Sequence, residues 1–433
     1  MVFINAQNHN QTSSAKLTSA IIFESFNINK IFFTILISLY LALSLSNYIW
    51  PSIYNNIICS ALGLIALMLL STRLRREDVI VYLFTGCLAA SFLVSSLFVG
   101  RTGTKLFSPV VFIVYNFGLA LILLRGYVYS WGAYIVFYGL TGYFLLMMLT
   151  GSDPAIILTT ASNAISTMMI IACLFLYITL HIENKKIVLI PALLTFFFSI
   201  WGLGRTGIAA SMVLLLGLLF VKLRAKRKYL CIAIIIILIS YIFTYWLFDD
   251  LYKLAMNYPI LGNAIEHNVQ RWTRNASDPR LSYWEYYFSN LDISRLIFGV
   301  NVVEDPWPAG EINEYNYHNS FIHLHLQTGL MGLITMVLII CSLFKFYRSN
   351  QVFFILLLTL VFRSIFDSVI FFLRFDLFPF FFIFYFLKNT SFRVPHIMSL
   401  SAGTRDNSSP WCNKTTNNNS PQQPRRGQLP ALN

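Results

Sequence analysis

Residues 318–344 read HNSFIHLHLQTGLMGLITMVLIICSLF. His318-Asn319 stands where a long polar segment runs back into apolar sequence. Gly329 and Gly332 follow, and the stretch stays apolar for the length of a bilayer crossing, roughly 20 residues at helical rise. Read this way, the chain is an all-α polytopic membrane protein, and composition agrees. The 433 residues are 57% hydrophobic and 11% charged, with mean hydropathy +0.66 and 39 Phe. A soluble domain carries about 25% charged residues, so this chain has too little polar surface to cover itself in water. The apolar runs are helix-length and lack the ten-residue alternation of an outer-membrane barrel.

Twelve apolar runs are predicted to cross the membrane: 31–50, 57–71, 79–99, 108–124, 127–149, 157–180, 186–202, 207–221, 229–248, 318–344, 351–366 and 369–387. One set of alternate connections holds Arg73, Arg75, Arg76, Arg125, Lys185, Lys186, Lys222, Arg224, Lys226, Arg227, Lys228, Lys345 and Arg348. The short connections of the other set hold only Arg101, Lys105 and Arg205. By the positive-inside rule the first set is cytoplasmic, as are both termini. The expected organisation is a cytoplasmic segment 1–30, helices one to nine over 31–248, a periplasmic loop over 249–317, helices ten to twelve over 318–387, and a disordered cytoplasmic tail over 388–433. The first apolar run is long and lacks a small-residue cleavage site, so no removable signal peptide is expected.

The long loop holds five basic against ten acidic residues, so the net +13 of the whole chain comes from elsewhere. Topology accounts for that charge, and no nucleic-acid partner is expected. None of the six cysteines falls in the loop, and no disulfide framework or CxxC pair exists. The loop has Asp249-Asp250 and Glu304-Asp305 but no Asp-x-Asp pair and no His/Cys cluster. Neither a metal nor a cofactor is expected.

Three basic groups on the outer side are candidates for chemistry. His318 begins the stretch quoted above. At about 100° per residue, His318, His325 and Gly329 share one face of a single helix, with Ile322 and Gly332 beside them. Small residues there indicate packing against protein. Such a buried imidazole-bearing face suits a general base, and an interfacial cap is the plain alternative. His325 lies about 10 Å deeper by helical rise and reads as a hydrogen-bond partner in helix packing, while His323 points elsewhere. Asp278-Pro279 is a helix start, placing Arg280 in a first turn with Trp284, Tyr287, Phe288 and Leu291 following at helical spacing. Arg280 and the first-turn amides suit a diphosphate, against the alternative of an exposed Arg near Glu285. Arg205 stands in Gly202-Leu203-Gly204-Arg205-Thr206-Gly207, where glycines permit close backbone approach to a ligand; a snorkelling Arg is its alternative. Arg363 and Asp367 read as an i,i+4 pair, and Arg374 begins the last span.

Many spans, a long outer loop late in the chain, an Arg-x-x-x-Trp helix within it, and His-Asn followed by Gly-x-x-Gly resemble the O-antigen polymerase and O-antigen ligase superfamily. The resemblance is good over roughly 186–345; before that the chain matches only as a hydrophobic scaffold. It implies a GT-C-like helical fold in the bacterial inner membrane, with the active site facing the periplasm. It also implies a metal-independent glycosyltransferase using an undecaprenyl-diphosphate-linked oligosaccharide, in which His318 is the catalytic base and Arg205 and Arg280 bind the diphosphate. Asn319, Trp284 and Arg363 would support them. The partners implied are that donor, an acceptor glycolipid, membrane lipid and a chain-length regulator. The acceptor stays open: another lipid-linked repeat for an O-antigen or exopolysaccharide polymerase, which the size and diversity of that class favour, or lipid A–core for a ligase. A polysaccharide transporter or flippase is the distant alternative, disfavoured by few mid-membrane carboxylates and no paired halves.

Overall fold

A computed structural model describes residues 28–71, 75, 78–101, 104–152, 164–202, 204–223, 279–300 and 318–391. Fourteen helices and no strand occur among them. They are α1 Ile28–Ser46, α2 Ile53–Ser71, α3 Val79–Phe98, α4 Thr104–Leu124, α5 Ser130–Leu149, α6 Ala164–Ile182 and α7 Ile190–Trp201. There follow α8 Arg205–Lys222, α9 Pro279–Ser289, α10 Ile293–Phe298, α11 Ser320–Thr328, α12 Leu330–Ser349, α13 Gln351–Ile365 and α14 Leu377–Ser391. Eight of these (α1 to α6, α8 and α12) are long and apolar enough to span a bilayer, and α7, α13 and α14 are shorter apolar helices. The expected run 229–248, nearly all of both terminal segments and most of the 249–317 loop lie outside the described residues, while 28–30 and 388–391 extend the first and last helices.

The bundle is built around α6, in which every residue from Ala164 to Leu180 is buried. A helix apolar on all sides has no preference for one face, so it is most stable surrounded by other helices. Around it pack α5, α7, α8 and α13, and a second group joins α2, α3 and α14 to α4.

The two ends of the bundle differ in chemistry. Asn350 caps α13 and meets His181 Nε2 at 2.9 Å, at the finish of α6, whereas Arg363 near the other end of α13 meets Thr167 near the start of α6. The His181 end also collects Glu183 with Lys30 at 3.3 Å and Lys185 at 2.8 Å. Through the α4–α5 turn it continues to the buried Asp78–Arg125 pair at 2.6 Å, with Lys388 at 3.5 Å. The Arg363 end carries the features described below.

Three expected spans are corrected. Residues 318–344 are not one helix. The chain breaks at Gly329, whose φ of 54° ends α11 and starts α12 in a new direction, so His318, His325 and Gly329 do not share a continuous helical face. Residues 369–387 are helical only from Leu377, because Phe371 and Phe372 both take left-handed φ, 68° and 60°. Arg374 therefore lies in a turn rather than opening a span. Residues 186–202 give only the twelve-residue α7.

The Gly329 break is held by contact as well as by φ: an added Cβ would land on the Ile297 carbonyl. Gly329→Ala combines that clash with the cost of a left-handed L-residue, roughly 1–2 kcal/mol alone, and should clearly lower the unfolding temperature in detergent. Gly86, in mid-α3 with open space around its Cα, is the control. Gly86→Ala should leave the transition unchanged or raise it slightly.

Candidate functional site

His318 stands two residues before the first residue of α11 and has φ 47°, a conformation rare for a residue with a side chain. Asn319 follows as the N-cap, its Oδ1 accepting from the amides of Phe321 at 2.8 Å and Ile322 at 3.1 Å. Ser320 Oγ donates to the Asp367 carbonyl at 2.8 Å and accepts from the Val369 amide at 2.9 Å. The start of α11 is thus bolted to the turn after α13.

That turn presents Asp367 to His318. The Asp367 carboxylate lies 3.9 Å from His318 Nδ1, takes the Ser368 amide at 2.9 Å and accepts from Arg363 Nη2 at 2.8 Å. At 3.9 Å the imidazole contact is an ion-pair distance, longer than a hydrogen bond. Both side chains are about a quarter exposed, so the pair is open to a reactant, while Arg363 is 1% exposed. Arg363 also donates to Thr167 Oγ1 from Nε at 3.1 Å and Nη2 at 2.7 Å, and to Thr206 Oγ1 from Nη1 at 3.1 Å. The expected Arg363–Asp367 pair is present, and it forms the middle of a chain from His318 to the first turns of α6 and α8.

Arg205 is the first residue of α8, with Gly204 as its N-cap and Thr206 beside it in the Arg363 network. The glycines there act differently from expectation. Gly204 has an ordinary φ of −81°, and a Cβ on Gly207 would strike Ser166. Gly207 therefore serves the close approach of α8 to α6, not of backbone to a ligand. Arg280 lies in the first turn of α9, which begins at Pro279 as the sequence indicates; its side chain is outside the described residues. Trp284 of α9 stands against Phe366, ring centres 6.2 Å apart, one residue before Asp367.

His325 is buried and bridges elements as its sequence position implied. It pairs with the Tyr287 hydroxyl through Nδ1 and with the Leu296 carbonyl through Nε2 at 3.0 Å. Since a carbonyl only accepts, Nε2 carries the hydrogen, leaving Nδ1 to accept from Tyr287. One imidazole thus ties α9 and α10 to α11. Between these helices and α12 lies an apolar cavity of about 410 Å³, whose lining includes Trp284, Phe288, Asn319, Leu333 and Met336.

Arg101 was read only as an outer-loop charge. It is buried and donates from Nη2 to the carbonyls of Val300 and Leu326, both at 2.7 Å, and from Nη1 to Gln327 O at 3.3 Å. It caps the carbonyl end of α11 where a cation is favoured. Burial pulls its guanidinium down to about 10, still charged at neutral pH. No local pattern announces it, because its acceptors lie some 200 positions away.

Residues 190–337 match the family model described as O-antigen ligase. No curated protein and no solved structure matches the chain. The match supports the O-antigen polymerase and ligase superfamily, whose members are glycosyltransferase-like enzymes, and it spans Arg205, Arg280 and His318. It implies lipid-linked glycan substrates in general, and with the apolar helices it supports a multi-pass membrane protein.

Removing Arg101 takes its bonds from three carbonyls, of which Leu326 keeps the Val300 amide at 3.0 Å, and hydrogen bonds from a charged donor contribute about 1.5–3 kcal/mol each. Arg101→Ala should therefore cost several degrees in thermal unfolding. Arg101→Lys should recover only part, since one ammonium does not reproduce the guanidinium fork.

Proposed function

We propose that the chain is a periplasm-facing polysaccharide polymerase of the inner membrane, transferring an undecaprenyl-diphosphate-linked glycan to an acceptor sugar hydroxyl. The observation that carries the reading is the His318–Asp367–Arg363 chain at the end of the bundle away from the Lys/Arg-rich connections. Asp367 faces Nδ1 across 3.9 Å and answers the positive charge that forms on the ring during transfer, leaving Nε2 to accept the acceptor hydroxyl proton. The oxygen then attacks the anomeric carbon, the bond to the diphosphate breaks, and configuration inverts. Lipid diphosphate is already a good leaving group, so charge neutralisation and alignment suffice. Arg205 and Arg280, each in the first turn of a helix, supply the charge together with first-turn amides that have no intrahelical acceptor. Asn319 fixes the backbone under His318, Trp284 offers a ring for a sugar, and the apolar cavity suits the lipid of an amphiphilic donor. No metal or cofactor enters the scheme. The left-handed His318 costs of order 1–3 kcal/mol, which fits a residue held for position.

A ligase acting on lipid A–core would use the same donor groups. A chain-length regulator belongs with the polymerase reading. In cells lacking the protein, a lipid A–core carrying one repeat identifies a lost polymerase, and a bare core with lipid-linked polymer identifies a lost ligase.

His318→Ala should leave membrane level normal and lower transfer by roughly 10²–10⁴-fold, with added imidazole restoring part of it. Asp367→Asn should lower kcat with little change in the donor KM. Normal polymer ladders from His318→Ala would falsify the assignment.

Purified protein should keep transferring in excess chelator. Arg205→Ala and Arg280→Ala should raise the donor KM strongly, and lysine at either position should rescue poorly. Activity lost to chelator and restored by Mg²⁺ would overturn the arginine-only scheme, and full activity in the alanine variants would remove both residues from the donor site.

A further inference from the structure

Helix α10 carries two isoleucines one turn apart, Ile293 and Ile297, that are 77% and 42% exposed, and Phe288 of α9 is 62% exposed. Water is a poor environment for such a row. The place of α10 indicates another. Phe298 stacks on Phe98 with ring centres 3.9 Å apart, and its carbonyl accepts from Ser95 Oγ. Phe98 is the last residue of α3, a twenty-residue span whose Leu97 and Phe98 are 70% and 67% exposed. A span of that length covers about 30 Å, the hydrocarbon thickness, so its final turn lies at the hydrocarbon edge. On its other side α10 abuts the start of α12: the Ile297 carbonyl occupies the place of a Gly329 side chain, and Leu330 next to it is 50% exposed. The exposed side of α10 is therefore continuous with the lipid-facing surfaces of two spans. Asp292 caps the helix through the Arg295 amide at 2.7 Å, and Arg295 Nη1 reaches the Asn290 carbonyl at 2.8 Å, giving it a polar flank for the headgroups.

We propose that α10, with Phe288 of α9, is an interfacial membrane anchor: Ile293, Ile297 and Phe288 dip into the lipid boundary, and the outer loop rests on the bilayer. The partner is phospholipid. Partial insertion of short apolar faces of this kind is a known mode of interfacial binding. The inference depends on the chain spanning a membrane and not on the reaction assigned to it.

The test places a diazirine-bearing amino acid singly at Ile293, Ile297, Leu97 and Asp292 of the full chain. Each protein is reconstituted in vesicles of phosphatidylethanolamine and phosphatidylglycerol, irradiated and analysed by mass. Positions 293 and 297 should form phospholipid adducts at the level of the Leu97 lipid-facing control, with Asp292 far lower. Adducts at 293 and 297 no higher than at Asp292 would mean a solvent-facing loop and would overturn the anchor. Crosslinks from both positions to a second copy of the chain would overturn it in favour of a protein interface. Positions 293, 297 and 97 are exposed and should keep the normal unfolding temperature, whereas replacing Asp292 removes the α10 cap and should lower it slightly.

Discussion

A single buried cation organises the end of the bundle that carries the candidate site. Arg363 is all but inaccessible, and a guanidinium taken out of water is tolerated only when its donors are matched and its charge is answered. Thr167, Thr206 and Asp367 supply those partners from α6, α8 and the turn beyond α13. The same interaction therefore fixes three parts of the bundle relative to each other and sets the height and direction of the Asp367 carboxylate. Whatever His318 does, it does facing an acid whose position is locked from below. A guanidinium serves here better than an ammonium, because its planar fork reaches two threonines and a carboxylate at once.

Irregular backbone at the end of a membrane bundle survives only where each polar group is answered. The turn from Phe366 to Asp376 meets that requirement with its own Asp376 and with side chains from α1, α2 and α4. Asp376 is buried and accepts from the amides of Phe371 and Leu373. Asn116 donates to the Leu373 carbonyl at 3.0 Å and accepts from the Leu377 amide at 3.1 Å. Arg374 reaches Asn56, and Tyr40 caps the Arg374 carbonyl. The left-handed pair Phe371-Phe372 is the consequence: the chain curls its amides around one carboxylate. This lacing makes the turn a rigid platform, and Ser320 fastens α11 to it.

Helix existence was legible from apolar length and charge, because both act locally along the chain. The Arg363–Asp367 pair was legible too, being spaced four residues apart, and so was the structural use of His325. What stayed hidden follows from one cause. His318 meets Asp367 across 49 positions and Arg101 meets Leu326 across 225, and no periodicity encodes a partner at that separation. The misreading at Gly207, and the unforeseen partner at Gly329, have a related origin. Both glycines were seen as places of close approach, and they are, but the approaching groups are Ser166 and the Ile297 carbonyl. Sequence shows that a residue is small without showing what comes near it. The break within 318–344 was equally hidden, since an apolar run reads the same whether the helix continues or turns.

That break matters for how the parts are divided. The family match ends at residue 337, a few turns into α12, and so includes Arg205, Arg280 and His318 but excludes Arg363 and Asp367. The excluded residues are nevertheless the ones in contact with His318 and Thr206. A general base facing a carboxylate differs chemically from one facing only solvent, because the acid stabilises the charge that forms on proton transfer. On the proposed roles, the two donor arginines lie within the matched segment and the carboxylate facing the base lies beyond it, so the two can vary separately. On that proposal, the segment from α13 to α14, together with Arg101 at the opposite end of α11, sets the angle at which His318 would meet an acceptor hydroxyl. The same donor machinery would serve acceptors of different shape with that presentation altered alone.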